Sequence, residues 1–120
     1  MRRIAWLPAF GFGAFLAFGS AHKASSATLL WKNYNNPESR TMRLLNQQHL
    51  DGMLDAIVSY NVFLKQSNEN TLFCLPTDSL LTVEQADEIL GSVANRLKNP
   101  DNVPISVLLI VGLQERFPCS

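Results

Sequence analysis

Only two cysteines occur in this chain, Cys74 and Cys119, so an intramolecular disulfide can be drawn in one way only. A bridge there would close a loop of about 45 residues and tie the segment LFCLP to the closing stretch LQERFPCS. In the chain-entropy picture, closing a loop of that length is worth about 4 kcal/mol before strain. Two free thiols, or bridges between chains, are the alternatives. The choice depends on the compartment, and the opposite end of the chain bears on it.

Residues 1–27 have the order of a secretory signal peptide: a basic head (Arg2, Arg3), an uncharged run from Ile4 to Ala21, then small residues. Cleavage after Ala21 or after Ala27 fits the small-x-small rule. The alternative, an uncleaved membrane anchor, is disfavoured because the run is a little short of a span and contains Pro8 and several glycines. Export to an oxidising compartment favours the Cys74–Cys119 bridge. Losing residues 1–27 removes Arg2, Arg3 and Lys23, so 10 basic and 10 acidic residues become 7 and 10, a formal charge of −3. No basic stripe interleaved with aromatics exists, so nucleic acid is not an expected partner, nor is a membrane once the signal is removed.

Residues 28–120 are of single-domain size, where a core is marginal and a covalent staple is valuable. Thr28–Tyr34 reads as a short apolar turn or helix, stopped at Asn35-Asn36-Pro37. Leu50, Met53, Leu54, Ile57, Tyr60, Asn61 and Leu64 follow helical spacing, with Asp51, Asp55 and Ser59 opposite. They predict one helix from about Ser39 to Gln66, with Gly52 as the place for a bend. Thr82 and Gln85 have the spacing of a capping box. The helix they open carries Val83, Ala86, Leu90, Val93 and Leu97 on one stripe, with Arg96 and Lys98 in its last turn. Asn99-Pro100 ends it. Pro104 suits the first turn of a last helix, ISVLLIVGLQERF, whose periodicity alone also allows a buried strand. No other segment reads as a strand to pair with it. The expected fold is all-α: a small bundle of four to five helices with one disulfide.

Few residues could carry chemistry. A cysteine nucleophile would need Cys74 or Cys119 with His49 as base, but an oxidising compartment argues against a free thiol. His49, Cys74 and Cys119 lack metal-ligand spacing, and Asp51 and Asp55 at i, i+4 read as a solvated face. No glycine-rich phosphate loop follows a strand. The expectation is a binding protein without catalytic residues, metal or cofactor.

Three stretches resemble the Rap/Tai family of small exported bacterial immunity proteins. His49 to Ala56, with Asp51, Gly52, Asp55 and Ala56, is similar to that family's G-Y-[IV]-x-G-x-x-D-A core. Phe73-Cys74-Leu75-Pro76, followed by Val83 and Gln85, is similar to its F-C-[LI]-P…Q segment. Val93, Leu97, Pro100 and the closing Leu113-x-x-x-Phe117-Pro118-Cys119 resemble its ending. Gln48-His49 replaces the motif's Gly-Tyr. Thr28–Asn36 and Asn46–His49 lack the second cysteine pair that relatives often carry.

The resemblance implies a small, often dimeric helical bundle in the periplasm that protects against type VI secretion effectors. Such a protein inserts a loop into the Cys–His active site of a peptidoglycan amidase. A cognate amidase is therefore the expected partner, and a homodimer a further expectation. Two loops fit that role: Ser67–Thr77, and Lys98–Pro104 between its prolines. Candidate contact residues are Asn68, Glu69, Asn70, Thr71, Thr77 and Asp78 on and beside the first, and Pro100, Asp101 and Asn102 on the second. The rival reading is a small periplasmic helical chaperone or stress protein without a dedicated effector.

Overall fold

Each helix among the described residues is opened or closed by a short-range bond. The computed structural model describes residues 28–120, and the signal-peptide and cleavage-site expectations lie outside them. Ser39 Oγ accepts from Met42 N at 3.1 Å and opens the longest helix. Thr82 and Gln85 form the expected capping box, with Gln85 N donating to Thr82 Oγ1 (3.1 Å) and Thr82 N to Gln85 Oε1 (2.9 Å). The elements are α1 (Trp31–Asn35), α2 (Arg40–Gln66), α3 (Val83–Ala94) and α4 (Ile105–Arg116). The chain is thus a small all-α bundle, with four helices among the described residues and the Cys74–Cys119 disulfide.

The closing apolar stretch is helical, and α4 supplies the deepest part of the core. Ile105, Leu108, Leu109 and Leu113 are all at most 1% exposed. They join Ala86, Ile89, Leu90 and Val93 of α3, and Leu50 and Leu54 of α2, in one cluster. Pro104 is the N-cap in extended conformation rather than a member of the first turn. The α3–α4 contact is close: a Cβ built on Gly112 would lie 2.1 Å from Ile89 Cγ2. Glycine is required there for approach, not for backbone conformation. Two exposed ion pairs, Arg116–Glu88 between α4 and α3 and Arg96–Glu115 between the turn after α3 and α4, add little to stability.

The short helix α1 is held from several sides. Trp31 N donates to Val103 O (2.9 Å), Lys32 N to Asp101 O (3.1 Å) and Ile105 N to Leu29 O (3.0 Å). Leu30 and Pro104 form a single antiparallel bridge. The Tyr34 hydroxyl donates to Asp87 Oδ1 on α3 at 2.5 Å. Asn46, buried on α2, donates its Nδ2 to the carbonyls of Asn33 (3.2 Å) and Tyr34 (3.4 Å). Carbonyls at a helix end have no partner within the helix, and Asn46 supplies one.

Two expectations need correction. Tyr60 is not on the covered stripe; it is 53% exposed and stacks on Phe63, with ring centroids 6.2 Å apart. The covered face at that end of α2 follows Ile57, Asn61 and Leu64, and Tyr60 lies about 100° around the helix from Asn61. Nor does α3 reach Leu97, Arg96 or Lys98. It ends at Ala94, and the chain tightens into i→i+3 turns, Arg96 N to Val93 O and Leu97 N to Ala94 O, both 3.1 Å. Leu97 is left 42% exposed. By contrast α2 runs through Gly52 as one helix of 27 residues.

Candidate functional site

The segment between α2 and α3, residues 67–82, is anchored at both ends and along its first half. Its entrance is a Schellman turn: Glu69 N donates to Leu64 O (2.9 Å) and Asn68 N to Lys65 O (3.2 Å), with Asn68 in the left-handed region at φ 57°. Asparagine tolerates that conformation better than most residues. Phe73, 1% exposed, plugs the core. Cys74 N donates to Phe117 O at 2.8 Å, beside the disulfide to Cys119, whose Cα lies 5.0 Å from that of Cys74. The Thr71 hydroxyl stands 3.5 Å from Cys74 Sγ and 3.4 Å from Cys119 Sγ.

Asn61 is the residue that sequence reasoning missed. Placed on the covered stripe of α2 by spacing, it acts as a clamp. Its Oδ1 accepts from Leu72 N (2.7 Å) and Phe73 N (3.3 Å), and its Nδ2 donates to Phe73 O (2.9 Å). A polar amide inside an apolar stripe was the available signal, since a half-buried amide needs partners.

Beyond Leu75 the backbone hydrogen bonding of the loop is local. Ser79 N donates to Pro76 O (3.1 Å), and Asp78 has φ 65°. Asn68, Glu69, Asn70, Thr77 and Asp78 are exposed and Thr71 is half-buried. Leu80, not singled out by its spacing, is 87% exposed. Below the loop a cleft of about 270 Å³ is lined by Val58, Val62, Lys65, Thr71, Phe73 and Leu75.

The second candidate loop is built differently. Asp101 O and Val103 O bond the backbone of residues 31 and 32, Val103 N donates to Pro100 O (2.9 Å), and Pro100 is half-buried. Asp101 and Asn102 remain exposed. The two loops sit at opposite ends of α4, which at 12 residues is about 18 Å long. They do not form one site.

Of the motif residues, Asp51, Gly52, Asp55 and Ala56 are exposed on α2, Gln85 serves the capping box, and Leu75 and Phe117 are half-buried. Pro76 and Pro118 are exposed neighbours of the bridged cysteines. His49 is exposed on α2, and with both sulfurs in the disulfide neither thiol is available as a nucleophile.

At Tyr34, burial, then its hydrogen bond and proximity to Asp87, push the hydroxyl well above the ordinary tyrosine range. That group holds α1 to α3 and lies away from the 67–82 loop.

Fold and site together define a small disulfide-pinned helical protein that presents a braced loop. Compared with protein-family models, curated proteins and solved structures, the chain matches none.

Proposed function

We propose that this protein is an exported immunity protein of the Rap/Tai type, acting in the periplasm. In this reading it occludes the active site of a peptidoglycan amidase delivered by a type VI secretion system, with the 67–82 loop as the inserting element. The FCLP and FPC stretches that resemble the family meet in space, joined by the disulfide and by the Cys74–Phe117 backbone bond.

The observation that carries the choice of loop is the contrast within it. Phe73 is buried and clamped by Asn61, while Leu80, seven residues on, stands 87% exposed. A braced loop keeps its bound shape at small entropic cost, and an apolar side chain at its crest suits a partner's cleft. The other loop spends two carbonyls on α1, and the side chains exposed at its tip, Asp101 and Asn102, are short and polar.

The test is capture with the mature protein as bait in extracts of the bacterium that makes it. A single amidase with a Cys–His site, bound in a pH-insensitive way and inhibited, is the expected result. Leu80→Asp should weaken that binding at least tenfold, whereas Asn102→Ala should leave it unchanged. Recovery of many unrelated unfolded proteins, bound in a pH-dependent way and with no hydrolase among them, would favour the chaperone reading and sink this one.

A further inference from the structure

Where α1, α2 and α3 meet, another cleft of about 230 Å³ opens. Trp31 and Tyr34 of α1, Arg43 and Asn46 of α2, and Asp87 and Gly91 of α3 line it. Arg43 and Asn46 are about one turn apart, as are Asp87 and Gly91, so each pair shares a helix face. The loop 67–82 contributes nothing to this cleft.

The fold leaves several polar groups of the cleft unused. Arg43 and Asp87 are its charged side chains, and neither belongs to an ion pair among the described residues. The Tyr34 hydroxyl donates to one oxygen of Asp87 and holds that carboxylate in place, which leaves the other oxygen to accept. Two buried side chains repeat the division into donor and acceptor. Asn46, 6% exposed, spends its Nδ2 on carbonyls of α1, and its Oδ1 accepts from no described residue. Trp31, 9% exposed, donates its indole N–H to none of them. No fully covered side-chain nitrogen or oxygen among the described residues lacks a partner, so both atoms reach solvent, and both residues line this cleft. Two donors, the Arg43 guanidinium and the Trp31 N–H, thus stand beside two acceptors, the second Asp87 oxygen and Asn46 Oδ1.

We propose that this cleft binds a small zwitterion, an α-amino acid with an uncharged side chain. Its carboxylate takes Arg43 and the Trp31 N–H, and its ammonium takes Asp87 and Asn46 Oδ1. One cation and one anion on the walls match one of each on the ligand and leave no partner for a third charge. The planar guanidinium fork suits a carboxylate, and hydrogen bonds between charged groups are the strong ones.

Size points the same way. Drug-sized ligands take clefts of about 300–1,000 Å³, so this volume suits a smaller molecule. Gly91 supplies part of the room. It lies inside α3, where glycine is unfavourable relative to alanine. A Cβ on it would meet nothing within 4 Å, and its φ is not positive, so neither packing nor backbone conformation calls for glycine. The space it leaves belongs to the cleft. With the loop 67–82 elsewhere, the proposal does not depend on the immunity reading.

The full chain is expressed in a bacterium, purified in whichever form accumulates, and titrated by nuclear magnetic resonance with glycine, L-alanine, D-alanine and L-leucine. At least one of them should shift the Trp31 indole and Asn46 side-chain amide signals saturably, with a millimolar or lower dissociation constant. The N-acetyl and amide derivatives of that amino acid, which each lack one charge, should bind at least tenfold more weakly. Arg43→Gln should weaken binding at least tenfold, and so should Gly91→Met, whose side chain fills the cleft. Circular dichroism and the disulfide should be unchanged in both variants, because the Arg43 side chain is exposed and a side chain at Gly91 has room. No saturable shift with any of the four amino acids overturns the proposal. Derivatives that bind as tightly as the parent amino acid overturn it too, as does either folded variant that binds as tightly as wild type.

Discussion

Asn61 on α2 holds Phe73 by both of its backbone groups, accepting from Phe73 N at 3.3 Å and donating to Phe73 O at 2.9 Å. The neighbouring Leu72 N, at 2.7 Å, shares the same carboxamide oxygen. One side chain thereby replaces the strand that an extended segment would otherwise need. It also sets the height at which Phe73 enters the core and Cys74 meets Cys119.

Asn61→Ala should therefore cost more than one surface hydrogen bond. Three backbone contacts are lost in a half-buried place, and a penalty of about 2–3 kcal/mol is expected from urea unfolding. Hydrogen exchange at Leu72 and Phe73 should accelerate more than at Leu108 or Leu109. Uniform acceleration across the whole chain would show that Asn61 is an ordinary core residue and not a local clamp.

Reduction of the disulfide, or the double change Cys74→Ser and Cys119→Ser, should remove about 4 kcal/mol of stability if unfolded-chain entropy dominates. The residues beyond Phe117 should fray first, because Cys74 N to Phe117 O is the remaining backbone bond to the loop. Thermal unfolding with and without reductant measures the loss, and an unchanged midpoint would contradict it.

Glycine-to-alanine changes should have opposite signs at two helical sites. Gly112→Ala places a methyl 2.1 Å from Ile89 Cγ2, which is on a stiff β-branched side chain, and should destabilise by about 1–3 kcal/mol. Adding Ile89→Ala should recover part of that loss, a coupling read from the double-mutant cycle. Gly52→Ala meets nothing and should stabilise by up to about 1 kcal/mol in dilute solution.

Alkaline pH should loosen α1. Tyr34 is held protonated in the folded chain by burial and by Asp87, while in the unfolded chain it ionises near the ordinary value of about 10. The folded state then binds more protons than the unfolded state above that pH. This contribution is fully present below about pH 10 and declines as pH rises toward the elevated folded value. Tyr34→Phe should flatten the slope of stability against pH in that window, at the cost of the 2.5 Å hydrogen bond to Asp87 at neutral pH. An identical slope in both proteins would assign the alkaline loss elsewhere.

What local bonds control could be read directly from the residues. Ser39, the Thr82–Gln85 pair and Asn36-Pro37 act within three or four positions, so they place the end of α1 and the starts of α2 and α3 without reference to the rest of the chain. Cysteine count left a single intramolecular pairing, and the structure contains it. Distant placement decided the rest. Whether Tyr60 is covered depends on which neighbours pack along the face of α2, and whether Arg96 lies in a helix depends on how the chain must turn toward Pro100. The same holds for the two glycines: Gly112 faces Ile89 and Gly52 faces open space, and no spacing rule distinguishes them. Asn61 and Leu80 took their meaning only from the loop that joins α2 to α3, one gripping its base and the other standing at its crest. Capping is an interaction of neighbours in the chain, whereas covering a face takes elements from elsewhere in it, and only the packed bundle brings those together.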